Sequence, residues 1–151
     1  MMFNLVRPHV VWALIALVLT TLTFRVRAYA AEPIWVVVST QSAIRNLTQQ
    51  DLLALYTGRT RTLPGGQAVT PLDQQRDGTA RADFYQALTG MDIARINSYW
   101  ARLHFTGQVQ PPQTVSDDTA MVQRLKADQF AIGYLMREPQ DPSVRVVLRL
   151  P

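Results

Sequence analysis

The run Ile34–Ser39 restricts the possible folds of this chain more than any other stretch. Its first five residues are apolar, and three of them are consecutive valines. A continuous apolar run rich in β-branched residues is typical of a strand that is buried on both faces. Such strands are found in α/β sheets, so this run predicts an α/β fold.

Helical and extended patterns alternate after this first strand. Apolar residues at spacings of three and four predict helices, and short apolar runs predict strands. The expected helices run from Thr48 to Gly58, over Ala80–Leu88, from Asp92 to Gly107 and onward from Ser116. The other expected strands are Gln67–Leu72, Phe130–Leu135 and Val144–Leu150. This alternation along the chain argues for an α/β sandwich.

Local signals add detail to three of these elements. Thr48, with Asp51 at the third helical position, predicts a capping box with a carboxylate partner. Pro71 marks an edge or an end of its strand, because proline cannot donate a ladder hydrogen bond. Gly133, inside a strand, permits a close approach of another element to the backbone.

The first 30 residues are typical of an export signal. Arg7 supplies a positive charge, Val10–Phe24 is an uncharged and mostly apolar run of 15 residues, and Ala28-Tyr29-Ala30 is a small-x-small cleavage pattern. We expect cleavage after Ala30 and a periplasmic or secreted domain over residues 31–151. Arg25 and Arg27 are unusual so close to a cleavage site, so an uncleaved N-terminal anchor is the alternative.

The composition of residues 31–151 excludes several classes of protein. These 121 residues are enough for one domain with a hydrophobic core. Twelve cations face 11 acids, so the net charge gives no support for a nucleic-acid or anionic-membrane partner. The absence of cysteine from the chain excludes disulfides, thiolate metal sites and cysteine nucleophiles.

The stretch from Thr70 to Phe84 predicts an anion cradle. An extended run breaks at Gly78 and continues as a helix, whose N-terminal amides carry a partial positive charge. Arg76 and Arg81 flank the amides of Gly78 and Thr79. The alternative is an ordinary helix cap with solvated arginines, because few such termini hold a ligand.

Other ligand-binding and catalytic chemistry finds less support. Ser39 and Thr40 follow the first strand, where α/β proteins often bind ligands, although serine and threonine are also turn residues. Asp117 and Asp118 could bind a metal, but a favourable interaction with the helix dipole is sufficient to explain them. His104 is the only histidine after the leader, and it is interpreted as structural. The sequence contains no catalytic or cofactor-binding fingerprint, so we expect neither an enzyme nor a cofactor.

Several segments together resemble the phosphate-binding-protein-like family of ABC transporter substrate-binding components. The match extends from about Val36 to Leu135. It includes the segments Leu52–Gly58, Val69–Asp73, Tyr99–Gly107, Val115–Asp117 and Ala131–Tyr134, together with Arg76, Gly78, Thr79, Arg81 and Phe84.

The resemblance implies a single type II periplasmic-binding-protein-like lobe, a mixed sheet with flanking helices. It implies that a small oxyanion, above all inorganic phosphate, is held at a helix N-terminus in association with phosphate transport or sensing. The implied ligand-binding residues are Arg76, Gly78, Thr79 and Arg81, with Ser39 and Thr40 from the first strand end.

Two departures from the family pattern leave a second interpretation open. Family members usually have Ser-Gly-Thr after the arginine, whereas this chain has Asp77, Gly78 and Thr79 after Arg76. The chain also has the size of about one lobe, which would leave an anion solvated on one side. The alternative is therefore an interaction module that captures no ligand and binds an envelope transporter, sensor or porin.

Overall fold

A computed structural model describes residues 32–107 and 109–151, which include five strands and four helices. The strands are β1 (Ile34–Ser39), β2 (Thr70–Gln74), β3 (Gln113–Val115), β4 (Ala131–Leu135) and β5 (Val144–Leu150). The helices are α1 (Gln49–Tyr56), α2 (Thr79–Thr89), α3 (Ile93–Phe105) and α4 (Asp118–Ala127). None of these described helices combines the length and hydrophobicity needed to cross a bilayer. The expected signal peptide, residues 1–30, lies outside the described ranges.

The five strands form one mixed sheet in the order β3-β2-β4-β1-β5. Strand β1 is antiparallel to both of its neighbours, β4 and β5. Strand β2 is parallel to β3 and to β4. This mixed sheet with flanking helices confirms the α/β fold class expected from the sequence. Because β1 runs against β2 and β4, its carboxyl end lies at the opposite edge of the sheet from theirs.

Strand β1 is buried on both faces, as its continuous apolar run predicts. Ile34, Val36 and Val38 belong to one core, which they share with buried residues of α1, α2 and α3. Trp35 and Val37 belong to a second core, which contains the buried residues of α4. Alternate side chains of a strand point to opposite faces, so the single run supplies both cores at once.

The helices agree more closely with the sequence than the strands do. The predicted capping box is present, because the Asp51 amide donates to Thr48 Oγ1 at 3.1 Å and the Thr48 amide donates to Asp51 Oδ2 at 3.2 Å. Strand β2 begins later than expected, since Ala68 instead forms an isolated bridge with Thr62 in the preceding loop. Strand β3 was not expected, because its three residues are mostly polar and exposed and follow two prolines.

Pro71 and Gly133 occupy positions that suit their backbones. Pro71 pairs with β4, but it lies just before the part of β2 that pairs with β3, so the sheet ends beside it on that side. At Gly133, a Cβ atom would lie 2.3 Å from the sulfur of Met121 on α4. The glycine therefore lets α4 pack directly on the backbone of β4, as the sequence predicts.

Candidate functional site

The candidate site is the turn between β2 and α2, at the carboxyl end of β2. Gly78 is the N-cap of α2 and has an extended backbone, with φ of −82° and ψ of 144°. Its own N–H donates to the Gln75 carbonyl at 3.0 Å, which closes the turn. The prediction that the Gly78 amide is open to a ligand is wrong, because the turn uses this amide. Arg76 and Thr79 are exposed on the turn.

The N-terminus of α2 differs from those of the other three described helices. No side chain caps it, and its first turn contains no acidic residue. In contrast, Thr48 caps α1, Asp92 caps α3 and Asp117 caps α4 through side-chain oxygens. The first amides of a helix have no partner inside the helix and carry part of the positive end of its dipole. The first amides of α2 therefore lack the side-chain oxygen that caps the other three helices, and the nearest charges are those of exposed Arg76 and Asp77.

Arg81 does not face this turn. It is 5% exposed, and its Nε donates to Asp73 Oδ2 at 2.8 Å. Its Nη1 donates to Asn97 Oδ1 at 2.8 Å, and the guanidinium lies over the Tyr85 ring at 5.0 Å. The prediction that Arg81 contacts a ligand beside Arg76 is corrected here, because the buried carboxylate of Asp73 binds its guanidinium inside the protein.

Asp73 is the centre of a buried polar cluster below the turn. Its Oδ1 accepts from the Tyr134 hydroxyl at 2.6 Å and from the Gln74 amide at 2.9 Å. Its Oδ2 accepts from the Tyr85 hydroxyl at 3.2 Å, in addition to Arg81. Burial, and then the charge of Asp73, raise the pKa of Tyr85 and of Tyr134. Both hydroxyls thus remain donors, and the cluster holds the start of α2 against β2.

Ser39 and Thr40 lie away from the candidate site. The Ser39 hydroxyl is buried and accepts from the Gln41 amide at 3.2 Å, and the Thr40 hydroxyl donates to the Ser143 carbonyl at 3.1 Å. The direction of β1 places both residues at the opposite edge of the sheet from Gly78. The prediction that Ser39 and Thr40 lie beside the anion is wrong, because it depends on the direction of β1, which the sequence does not reveal.

A cavity of about 720 Å³ lies at the same edge of the sheet as the turn. Its lining includes four acidic residues and one arginine: Asp117, Asp118, Glu138, Asp141 and Arg137. Hydrogen bonds from the hydroxyl and amide of Ser143 lower the pKa of Asp141 to about 2, and the Ala120 amide lowers the pKa of Asp117. The cavity is negative at neutral pH, so it favours cationic ligands, whereas the first amides of α2 favour anions.

The acids at the start of α4 have structural partners. Asp117 Oδ1 accepts from the Ala120 amide at 2.8 Å, and Asp118 Oδ1 accepts from Gln74 Nε2 at 2.6 Å. Within the described ranges, no three histidine, cysteine or acidic residues are grouped as metal ligands. His104 is exposed in the last turn of α3.

Comparison with known proteins identifies solved structures of similar fold. No protein-family model matches the chain, and no curated protein matches it. Among solved structures, an ABC-type phosphate transport receptor from Vibrio cholerae is 16% identical with a TM-score of 0.56, over 76% of this chain and 44% of the receptor. A structure described as a phosphate ABC transporter substrate-binding protein with bound phosphate, from Clostridium perfringens, is 14% identical with a TM-score of 0.58, over 76% of this chain and 43% of that one.

This chain therefore spans less than half the length of the structures whose fold it shares. The resemblance noted in the sequence is confirmed at the level of the fold, as a region about half the size of such binding proteins. Both of these structures are described as a receptor or a binding protein, and neither is described as an enzyme.

Proposed function

We propose that this chain is an exported substrate-binding-like protein that holds a small oxyanion weakly at the β2–α2 turn, in association with phosphate transport or sensing. The observation that carries the proposal is the N-terminus of α2, which no side chain caps and whose first helical turn has no acid, beside exposed Arg76; exposed Asp77 precedes the N-cap and offsets part of the charge. The Clostridium perfringens structure of similar fold contains bound phosphate, which makes phosphate the first anion to test. Export follows from the predicted leader.

The proposed ligand set is smaller than the sequence indicated. Arg76 supplies a guanidinium with forked donors, and Thr79 supplies its hydroxyl and amide. The Ala80 amide also points out of the first helical turn. Gly78 contributes the turn itself, since its own amide is bound to Gln75. One guanidinium on an exposed turn holds an anion weakly, because water and salt screen each contact.

Isothermal titration of the exported protein with phosphate and with sulfate tests this proposal. We expect weak binding of at least one anion and a several-fold loss in Arg76→Gln, with nearly unchanged thermal stability because Arg76 is exposed. Asp77→Asn should tighten binding, because it removes an exposed negative charge from the same turn. Arg124→Gln on α4 makes the same charge change elsewhere and should leave binding unaltered. No heat at millimolar anion, or equal losses in the two arginine variants, would count against the proposal.

A second candidate function is ligand-independent docking of this lobe to an envelope transporter, sensor or porin. The observation that favours it is that Arg81, Ser39 and Thr40 are bound elsewhere in the fold. Arg76 therefore supplies the single guanidinium at the turn. Recovery of the partner from the envelope with and without phosphate separates the two functions. Recovery that is equal in both conditions favours docking, and recovery that requires phosphate favours anion binding.

A further inference from the structure

The exposed side of α3 carries a stripe of basic residues that ends in an aromatic side chain. Arg95, Ser98, Arg102 and Phe105 follow one another at steps of three and four residues, so they share one side of the helix. All four are exposed, and Phe105 is 94% exposed, more than any other large apolar side chain in the described part of the chain. Helix α3 itself contains no acidic residue, although Asp92, its N-cap, pairs with Arg95 at 3.6 Å.

The loop after α1 packs on α3 at Tyr99 and Trp100, which are not part of this stripe. The Tyr99 hydroxyl donates to the Thr57 carbonyl at 2.6 Å, and a Cβ atom on Gly58 would lie 3.0 Å from the Trp100 ring. The loop therefore packs on α3.

We call Arg95, Arg102 and Phe105 the basic surface. No acidic residue occurs between positions 93 and 115, the segment that supplies it. The near balance of charge over residues 31–151 therefore hides a separation of charge, since the acidic cavity lies beside α4, whose buried residues belong to the other core.

We propose that the basic surface docks on an anionic phospholipid membrane. Charge complementarity selects the partner, because each basic residue near an anionic bilayer adds to its attraction. A cavity of about 470 Å³ is lined by Arg95, Arg102, Ser98 and Tyr99 together with the acidic Asp92, so its two guanidiniums would hold a phosphate headgroup against the charge of one carboxylate. Two guanidiniums and a hydroxyl are suitable donors for such a group.

Phe105 favours a bilayer over an acidic protein as the partner. Ala94 and Ala101 are small and exposed on the same side of α3, so the guanidiniums and the phenyl ring project beyond them toward a flat surface. An exposed phenyl ring gains free energy when it leaves water for the boundary of headgroups and acyl chains, and a hydrophilic acidic protein surface offers no such apolar phase. This proposal does not depend on the anion site at the β2–α2 turn, which shares no residue with it.

The absence of cysteine makes a site-specific test possible in the full chain. A polarity-sensitive fluorophore is attached to Ala101→Cys on the basic surface, and separately to Ala127→Cys, an exposed alanine at the end of α4. The labelled proteins are mixed with vesicles of equimolar phosphatidylglycerol and phosphatidylcholine, with phosphatidylcholine vesicles, or with poly-L-glutamate. We expect a blue shift at position 101 with anionic vesicles only, and little shift at position 127.

Charge variants in the Ala101→Cys background identify the residues responsible. The double substitution Arg95→Gln, Arg102→Gln should raise the lipid concentration that gives half of the maximal blue shift by about 30-fold. Each arginine contributes a factor of about five to the membrane affinity. Arg124→Gln with Arg137→Gln removes the same charge from other surfaces and should change that concentration by less than about twofold. Phe105→Ser should reduce the size of the shift. Residues 1–30 are the same in all variants, so any membrane affinity that they contribute does not alter the ratio between two variants.

Three results would overturn the proposal. The first is no shift at position 101 with anionic vesicles, or an equal shift at position 127. The second is an equal response to the two arginine pairs. The third is a shift with poly-L-glutamate as large as that with vesicles, which would indicate an acidic protein instead.

Discussion

Arg81 and Arg95 make the same kind of ion pair in opposite surroundings. The Nε of Arg81 lies 2.8 Å from Asp73 Oδ2, and the two side chains are 6% and 3% exposed. The Nε of Arg95 lies 3.6 Å from Asp92 Oδ2, and those side chains are 75% and 61% exposed. Removal of Arg81 leaves the Asp73 carboxylate unpaired in the interior. Removal of Arg95 leaves the Asp92 carboxylate in water, which already solvates it.

We predict that Arg81→Gln lowers the free energy of unfolding by about 3–5 kcal/mol, because the Asp73 carboxylate keeps its burial but loses its cation. Urea denaturation followed by circular dichroism measures this loss. Arg95→Gln is the matched control, and its unfolding midpoint should hardly move. Equal effects of the two substitutions would show that the Asp73 cluster does not stabilise the fold in the way described. If Arg81→Gln is too unstable to purify while Arg95→Gln is not, the prediction is also met.

The sequence could place Arg76 and Arg81 in one turn region but could not separate their roles. The signal that distinguishes them is Asp73, an acid at the end of an apolar stretch that begins at Val69. A carboxylate in a buried strand needs a cation or several donors, and Arg81 is eight residues away on the following helix. That Arg81 rather than Arg76 meets this need depends on how α2 packs on β2, which is tertiary information.

At the level of elements, the sequence predicts the helices and strands whose formation depends on neighbouring residues. The capping box at Thr48 and the continuous apolar run of β1 were sufficient to place those two elements. Strand direction and order were not accessible, because they depend on pairing between segments distant in sequence, such as β1 with β4. For this reason the prediction for Ser39 and Thr40 is wrong. They were expected beside the β2–α2 turn, but β1 is antiparallel to β4 and ends on the other side of the sheet. Strand β3 was missed because pairing with β2, rather than its own polar residues, makes it a strand.

Gly133 sets the distance between α4 and the sheet, which leads to a prediction for the packing of these elements. We expect Gly133→Ala to lower the free energy of unfolding by about 1–3 kcal/mol, because the new methyl group would overlap the fully buried Met121. Thermal or urea denaturation measures the change.

The same pair supplies its own control. Met121→Val shortens the facing side chain, so Gly133→Ala should cost less in a Met121→Val background than in the wild type. Additive effects of the two substitutions would contradict the proposed contact.

At the scale of the whole molecule, three buried tyrosines join elements from different parts of the chain. Tyr56 on α1 donates to the Leu72 carbonyl of β2 at 2.6 Å, whereas Tyr85 on α2 and Tyr134 on β4 donate to Asp73. The rings of Tyr56 and Tyr134 also contact Phe84, which stacks on Tyr134 with centroids 3.7 Å apart. Burial is the main cause that raises the pKa of all three hydroxyls, and the charge of Asp73 adds to it.

These pKa shifts predict cooperative unfolding at alkaline pH. A raised pKa in the folded state stabilises the fold fully below the ordinary tyrosine value near 10, and this contribution is lost as the pH rises above that value, because the unfolded chain then releases protons that the folded chain retains. We expect the phenolate absorbance of the buried tyrosines to appear together with the loss of near-ultraviolet circular dichroism, in one transition above pH 10. Tyr134→Phe removes one of the groups that release a proton on unfolding, so the free energy of unfolding should fall less steeply with pH above 10, from a lower neutral value because Asp73 loses a donor. Ionisation of all the tyrosines with the dichroism intact would mean that the cluster is open to solvent and does not hold α1, α2 and the sheet together.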